Sequence, residues 1–274
     1  MRVELRRQLR RRRTVGGLLG IAAVPVLLAV AFALAGNGGG GPGDGDGGGG
    51  DPTGLLFSLA TASGPNFALM ATAATAPFLL LAVVALFTGD TVSSEASWGS
   101  LRYLLTRPVS RRRLLGRKFA VGALLSVLAA ILVPVSGLLV GTLAYGWSDV
   151  QTPLGVLTAT QTLWRLGIVV AYLAWSAAWV AAVAFAWSTT TDSSVGAVAG
   201  TIVLVIVVQI LDAITALGTL RTYLPVHELS AWIGLLAPTP RYGDLTRGIV
   251  LQVPYLLGGL GFALWWFERK DVLS

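Results

Sequence analysis

The chain alternates long apolar runs with short polar breaks, and six runs dominate it: residues 15–35, 67–87, 119–145, 163–187, 195–217 and 248–267. About 20 consecutive apolar residues suffice to cross a hydrocarbon core of about 30 Å. Lipid offers no hydrogen-bond partners to a bare backbone, so each run is expected to be a helix. The pattern predicts an all-α polytopic membrane protein of six transmembrane helices forming one domain over 1–274, without a sizeable soluble core. Tyr145, Trp147, Trp164, Trp187, Tyr255, Trp265 and Trp266 fall near predicted helix ends, as in an interfacial aromatic belt.

The polar breaks differ in kind. Residues 1–14 carry Val3, Leu5 and Leu9 among arginines, and as a helix would lie in the membrane interface against anionic lipid headgroups. The first apolar run is longer than a usual signal-peptide core and no small-x-small cleavage site is convincingly placed before the glycine tract, so it reads as an uncleaved anchor. Residues 36–66 hold a glycine tract broken by Asn37, Pro42, Asp44 and Asp46, expected to be a flexible external loop. Residues 147–162 and 188–194 read as short connections. Residues 218–247 form a longer external segment punctuated by Pro225, Pro238 and Pro240, whose apolar centre, 229–236, is too short to span and suits an interfacial or re-entrant helix.

Charge then orients the helices. With both termini placed inside, sixteen of the twenty Lys and Arg fall in residues 1–14, in 89–118 and after 267. Only Arg165, Arg221, Arg241 and Arg247 fall on the other side. Basic residues stay on the cytoplasmic side of a membrane. The net charge of +7 is thereby absorbed by topology, and no nucleic-acid partner is needed. The expected location is the cell membrane, multi-pass, with both termini cytoplasmic.

Little in the chain points to catalysis. There is no cysteine, hence no disulfide, thiol nucleophile or thiolate metal site. His227 is the sole histidine, and a zinc-protease helix would need a second where Ala231 stands. With Lys118 and Lys270 the only lysines, no P-loop exists. One intramembrane group stands out: Gln209, Asp212 and Thr215 follow at one-turn intervals near the outer end of the fifth run and would share a helix face. Such groups are costly in lipid and often functional. They read either as a polar patch lining a substrate route or as a helix end wetted by the interface, with Asp212 facing Arg221.

The most distinctive stretch is residues 88–118. From Gly99, Leu101, Leu104 and Leu105 form one helical stripe with Arg102 off it, and Pro108 ends the helix by pushing its predecessor out of the α region. Glu95 precedes it, where a carboxylate suits a helix N-terminus. These residues, with Ser100, Arg107, Val109, Ser110, Arg111, Gly116 and Lys118, resemble the first cytosolic loop of the permeases of type-2 ABC transporters. The tail from Phe267 to Asp271 is similar to that family's ending, and the branch it is most similar to includes the permease of nitrous-oxide-reductase maturation. Trp98, where smaller or polar residues are usual, and the glycine tract depart from the pattern.

The resemblance implies a division of labour. Two permease chains would pair, and each would present an amphipathic coupling helix, between the second and third spans, to a separate ABC ATP-binding subunit. Leu101, Leu104 and Leu105 would make its apolar contact, Glu95 and Arg102 its charged rim, and Gly99 and Pro108 its ends. ATP and magnesium would be bound by that partner, leaving no cofactor in this chain and making it no enzyme itself. The alternatives are a membrane-embedded enzyme acting on lipids or peptides, or a non-transporting membrane assembly factor.

Overall fold

The computed structural model describes residues 2–36, 52–97, 111–152 and 155–269. It is an all-α polytopic protein with six helices long and apolar enough to cross a membrane: Arg12–Leu34, Gly64–Ser94, Arg112–Tyr145, Ala159–Thr190, Ser194–Ala213 and Gly243–Arg269. All six expected spans are present, most of them longer than the apolar runs, because polar helical turns at the interfaces add to each end. The second and fourth spans form the centre, with 67% and 61% of their apolar windows buried, while the first, fifth and sixth stand around them at 11–17%.

Local signals account for the helix ends. Ser63 accepts from the Asn66 amide to start the second span, Thr158 and Gln161 form a reciprocal capping box on the fourth, and Ser193 accepts from the Gly196 amide at the fifth. Two spans are interrupted. The second passes through a widened π turn, Ala76–Leu80, at Pro77, which has no amide to give to a helical hydrogen bond. The fourth is jointed at Ala177, between Ala159–Ser176 and Ala178–Thr190.

Packing at the centre depends on small residues. Gly137 and Gly141 of the third span stand four apart against Gly64, Phe67 and Ala68 of the second. A Cβ on Gly141 would lie 2.6 Å from the Gly64 carbonyl oxygen, and one on Gly137 would lie 3.1 Å from Ala68 Cα. In lipid, where water no longer drives apolar surfaces together, such close backbone approach supplies dispersion contact that larger side chains would block.

The structure adds elements where the sequence pattern shows only loops. Pro52–Ser58 is a helix inside the stretch expected to be flexible, although residues 37–51 lie outside the described residues. Val150–Thr152 and Gly155–Leu157 pair as an antiparallel hairpin within the 147–162 connection. The external segment is not one re-entrant helix. It is a string of 3-10 turns, Thr215–Tyr223 and Ala231–Leu236, and the apolar centre, too short to span, is a largely buried 3-10 turn packed against the spans. The leading residues form the helix Arg2–Leu9, whose Leu5 packs on the main core while Gln8 is buried.

Candidate functional site

The two ends of the bundle carry different chemistry. At the basic end, charged side chains join the first span, with Arg11 just before it, to the second and fifth, and the third span to the second and sixth. Asp90, 8% exposed, takes Arg11 at 2.8 Å and Arg13 at 3.2 Å on its two oxygens. Arg13 also donates to Ser194 at the start of the fifth span. Lys118, buried in the third span, donates to the Thr91 carbonyl of the second. Ser188 at the end of the fourth span accepts from the Val92 and Ser93 amides, and Arg112 pairs with Glu268. Residues 90–93 of the second span are therefore held from three sides, by the first, third and fourth spans, shortly before the helix reaches residue 97.

At the opposite end, side chains from the spans hold the external segment by its backbone. A 3-10 string leaves many carbonyls without helical donors, and buried carbonyls need partners. Arg165, 4% exposed in the fourth span, donates to the carbonyls of Leu235, Ala237 and Pro238. Tyr172 donates to the Glu228 carbonyl, Gln252 to that of Pro225, and Tyr255 to that of Tyr223. The Glu228 carboxyl lies 3.8 Å from Arg247. Burial chiefly, with the charges of Asp244 and Asp212, pushes its pKa above the ordinary carboxylate range against the opposing pull of His227 and Arg247.

Under this segment lies a cavity of about 280 Å³ between the π turn of the second span, the end of the fifth span and the residues that follow it. Its wall combines apolar residues, among them Val226, Leu229, Trp232 and Ile233, with the polar Gln209, Asp212, Arg221 and Ser230. Gln209 donates its side-chain amide to the Pro77 carbonyl, which is available because the Leu81 amide turns to Phe78 in the widened turn. His227 Nδ1 lies 2.7 Å from Asp212 Oδ1, and Arg221 Nε lies 4.0 Å from the same oxygen. That second separation is an ion pair without a hydrogen bond, and Arg221 Nε is buried with no hydrogen-bond partner.

Of the sequence-predicted polar patch, the structure brings Gln209 and Asp212 to the cavity, whereas Thr215 starts the next 3-10 turn, is exposed, and is not part of the wall. The expected facing of Asp212 and Arg221 is present but loose. The tighter partner is His227, fifteen positions along the chain from Asp212, and no periodicity spans such a stretch of 3-10 turns and irregular chain. Arg165 was also not legible as a binder of carbonyls, since its role depends on a segment seventy residues away. Gly99, Leu101, Arg102, Leu104, Leu105 and Pro108, and the side chain of Glu95, lie outside the described residues. Among the described residues no group of three or more His, Cys, Asp or Glu is placed to hold a metal ion.

No curated protein matches the chain. Residues 50–247, which run from just before the second span through the external segment, match a family of proteins of unknown function (DUF2705), and the chain belongs to that family.

Proposed function

We propose that the chain is the membrane-embedded permease subunit of an ATP-driven exporter, working as a pair in the cell membrane with a separate ABC ATP-binding subunit docked on residues 95–108. The observation that supports this reading most is the anchoring of the second span immediately before that segment. Asp90 with Arg11 and Arg13, Lys118 with Thr91, and Ser188 with Val92 and Ser93 join the span to its neighbours. A push delivered to residues 95–108 would pass into the central second and fourth spans rather than dissipate in a loose loop. The jointed fourth span and the π turn of the second are the places where such a push could be converted into bending.

On this reading both termini are cytoplasmic, since the first and last spans are tied at the basic end to the helices that flank residues 98–110, and ATP and magnesium belong to the partner. The test is co-purification of an ATP-binding subunit encoded with the chain, followed by the double substitution Leu104→Asp and Leu105→Asp. Wild-type protein should retain the subunit and the variant should lose it while still inserting. Equal recovery of the subunit with both proteins would overturn the proposal.

A second reading draws on the Asp212–His227 pair, an acid–base couple beside a cavity, which suits a membrane-embedded enzyme. ATPase activity that depends on this chain would exclude it in favour of the transporter.

A further inference from the structure

The cavity beneath the external segment carries a recognition pattern of its own. Two opposite charges, Asp212 and Arg221, line it 4.0 Å apart, too far for a hydrogen bond between them. His227 lies on one carboxylate oxygen of Asp212. Arg221 Nε is buried with no hydrogen-bond partner, a cost that folding does not ordinarily leave in place. The same cavity is lined by the apolar Val226, Leu229, Trp232 and Ile233.

The surrounding charges leave the pair to itself. Glu228 is taken up by Arg247, and Gln209 is tied by its amide to Pro77. Asp212 and Arg221 carry opposite charges and are not hydrogen-bonded to each other, so the wall favours neither an anion nor a cation alone. It selects a ligand carrying both charges close together: an ammonium for the carboxylate and an anionic oxygen for the guanidinium, which binds carboxylates and phosphates with directed N–H groups. An apolar portion next to these charges would cover the apolar lining.

Size and position narrow the class. About 280 Å³ has room for roughly nine waters' worth of matter, a headgroup with its first methylenes rather than a whole lipid. The cavity sits where the fifth span ends at Ala213, level with the π turn inside the second span, and the end of a span is the depth at which headgroups meet a membrane protein.

We propose that this cavity is a binding site for a zwitterion with a primary ammonium one or two carbons from a carboxylate or phosphate, held between Asp212 and Arg221. An aminophospholipid headgroup and a free apolar amino acid share that chemistry. The inference does not depend on the transport reading: binding without an ATP-binding partner would keep the site and remove that reading, and the reverse outcome would do the opposite.

The test uses the full chain in lipid nanodiscs and reads the melting temperature. Phosphatidylethanolamine is compared with phosphatidylcholine, whose quaternary ammonium has no N–H to give Asp212, and with anionic phosphatidylglycerol. A second arm titrates free leucine into the phosphatidylcholine discs. The expected result is a rise of a few degrees with phosphatidylethanolamine, lost in Asp212→Asn and in Arg221→Gln. A saturable rise with leucine alone, lost in the same variants, supports the site and assigns it to a free amino acid.

Because either variant could disturb the segment itself, Ser230→Trp provides a second check. It fills the cavity from an exposed wall position and leaves both charges in place. It should abolish the rise as well. A rise that survives all three substitutions, a rise equal in all three lipids without a leucine effect, or no rise in either arm overturns the proposal.

Discussion

Replacing Arg165 with methionine keeps an unbranched apolar stem and removes the donors, so residues 235–238 should come loose from the fourth span. Three carbonyls, of Leu235, Ala237 and Pro238, would lose their partner in a buried setting. Hydrogen bonds to charged groups contribute about 1.5–3 kcal/mol each, so the lower value gives about 4–5 kcal/mol for the three. Against this, the substitution removes a buried charge that has no carboxylate against it and whose Nε is unbonded, which returns about 1–2 kcal/mol. The net loss is about 3 kcal/mol, felt locally rather than across the bundle.

The absence of cysteine makes this measurable, since a single introduced thiol reports without background. Ala237→Cys places the thiol at a position 5% exposed beneath the guanidinium. If labelling by a membrane-impermeant maleimide proceeds through local opening, about 3 kcal/mol corresponds to a rate increase on the order of a hundredfold in the Arg165→Met background. Arg165→Lys, with a compact ammonium that cannot reach three carbonyls at once, should fall between the two. Labelling within twofold of the parent in the methionine variant would show that the three carbonyl bonds do not hold the segment.

Three further outcomes are expected. Gly141→Leu should cost well above the about 1–3 kcal/mol typical of overpacking, because its Cβ meets backbone at 2.6 Å; Gly258→Ala, with nothing within 4 Å, should be neutral or better, and equal melting temperatures for the two would count against the small-residue seam. A double-mutant cycle between Arg11→Gln and Asp90→Asn should give a coupling of about 1 kcal/mol, since the pair is only partly exposed at 23% and 11%, and strictly additive melting shifts would show that the contact is idle. Glu228, with its carboxyl pKa raised by burial, favours the folded segment below the pKa of the unfolded chain. It gives that contribution up as pH rises through the raised value, so stability should fall with rising pH over that window and Glu228→Gln should flatten the dependence; parallel pH profiles of melting temperature would refute the assignment.

The separate fates of the two predicted sites show what kind of information each carried. Gln209 and Asp212 were legible because an amide and a carboxylate in an apolar run are visible one turn apart, and both reach the cavity. Thr215 failed because the helix ends at Ala213, where the one-turn interval stops meaning a shared face. Arg221 was legible as a group facing Asp212, but His227 was not legible as its closer partner, since that approach is set by the path of a 3-10 string with no repeating period.

By itself the sequence determined the class of solvent and hence the class of fold: apolar runs of membrane-crossing length must be helices, and their number and order follow directly. It also determined where helices begin, through Ser63, Thr158 and Ser193, because a cap is a contact between near neighbours. Only the tertiary structure decided which spans are central, since every run is apolar and hydropathy does not distinguish a face turned to lipid from one turned to another helix. Close approach of Gly137 and Gly141 to the second span, and the capture of external carbonyls by Arg165 and Tyr172, make that choice. Those are contacts across seventy residues or more in most cases, between groups whose complementarity is geometric and leaves no period in the chain.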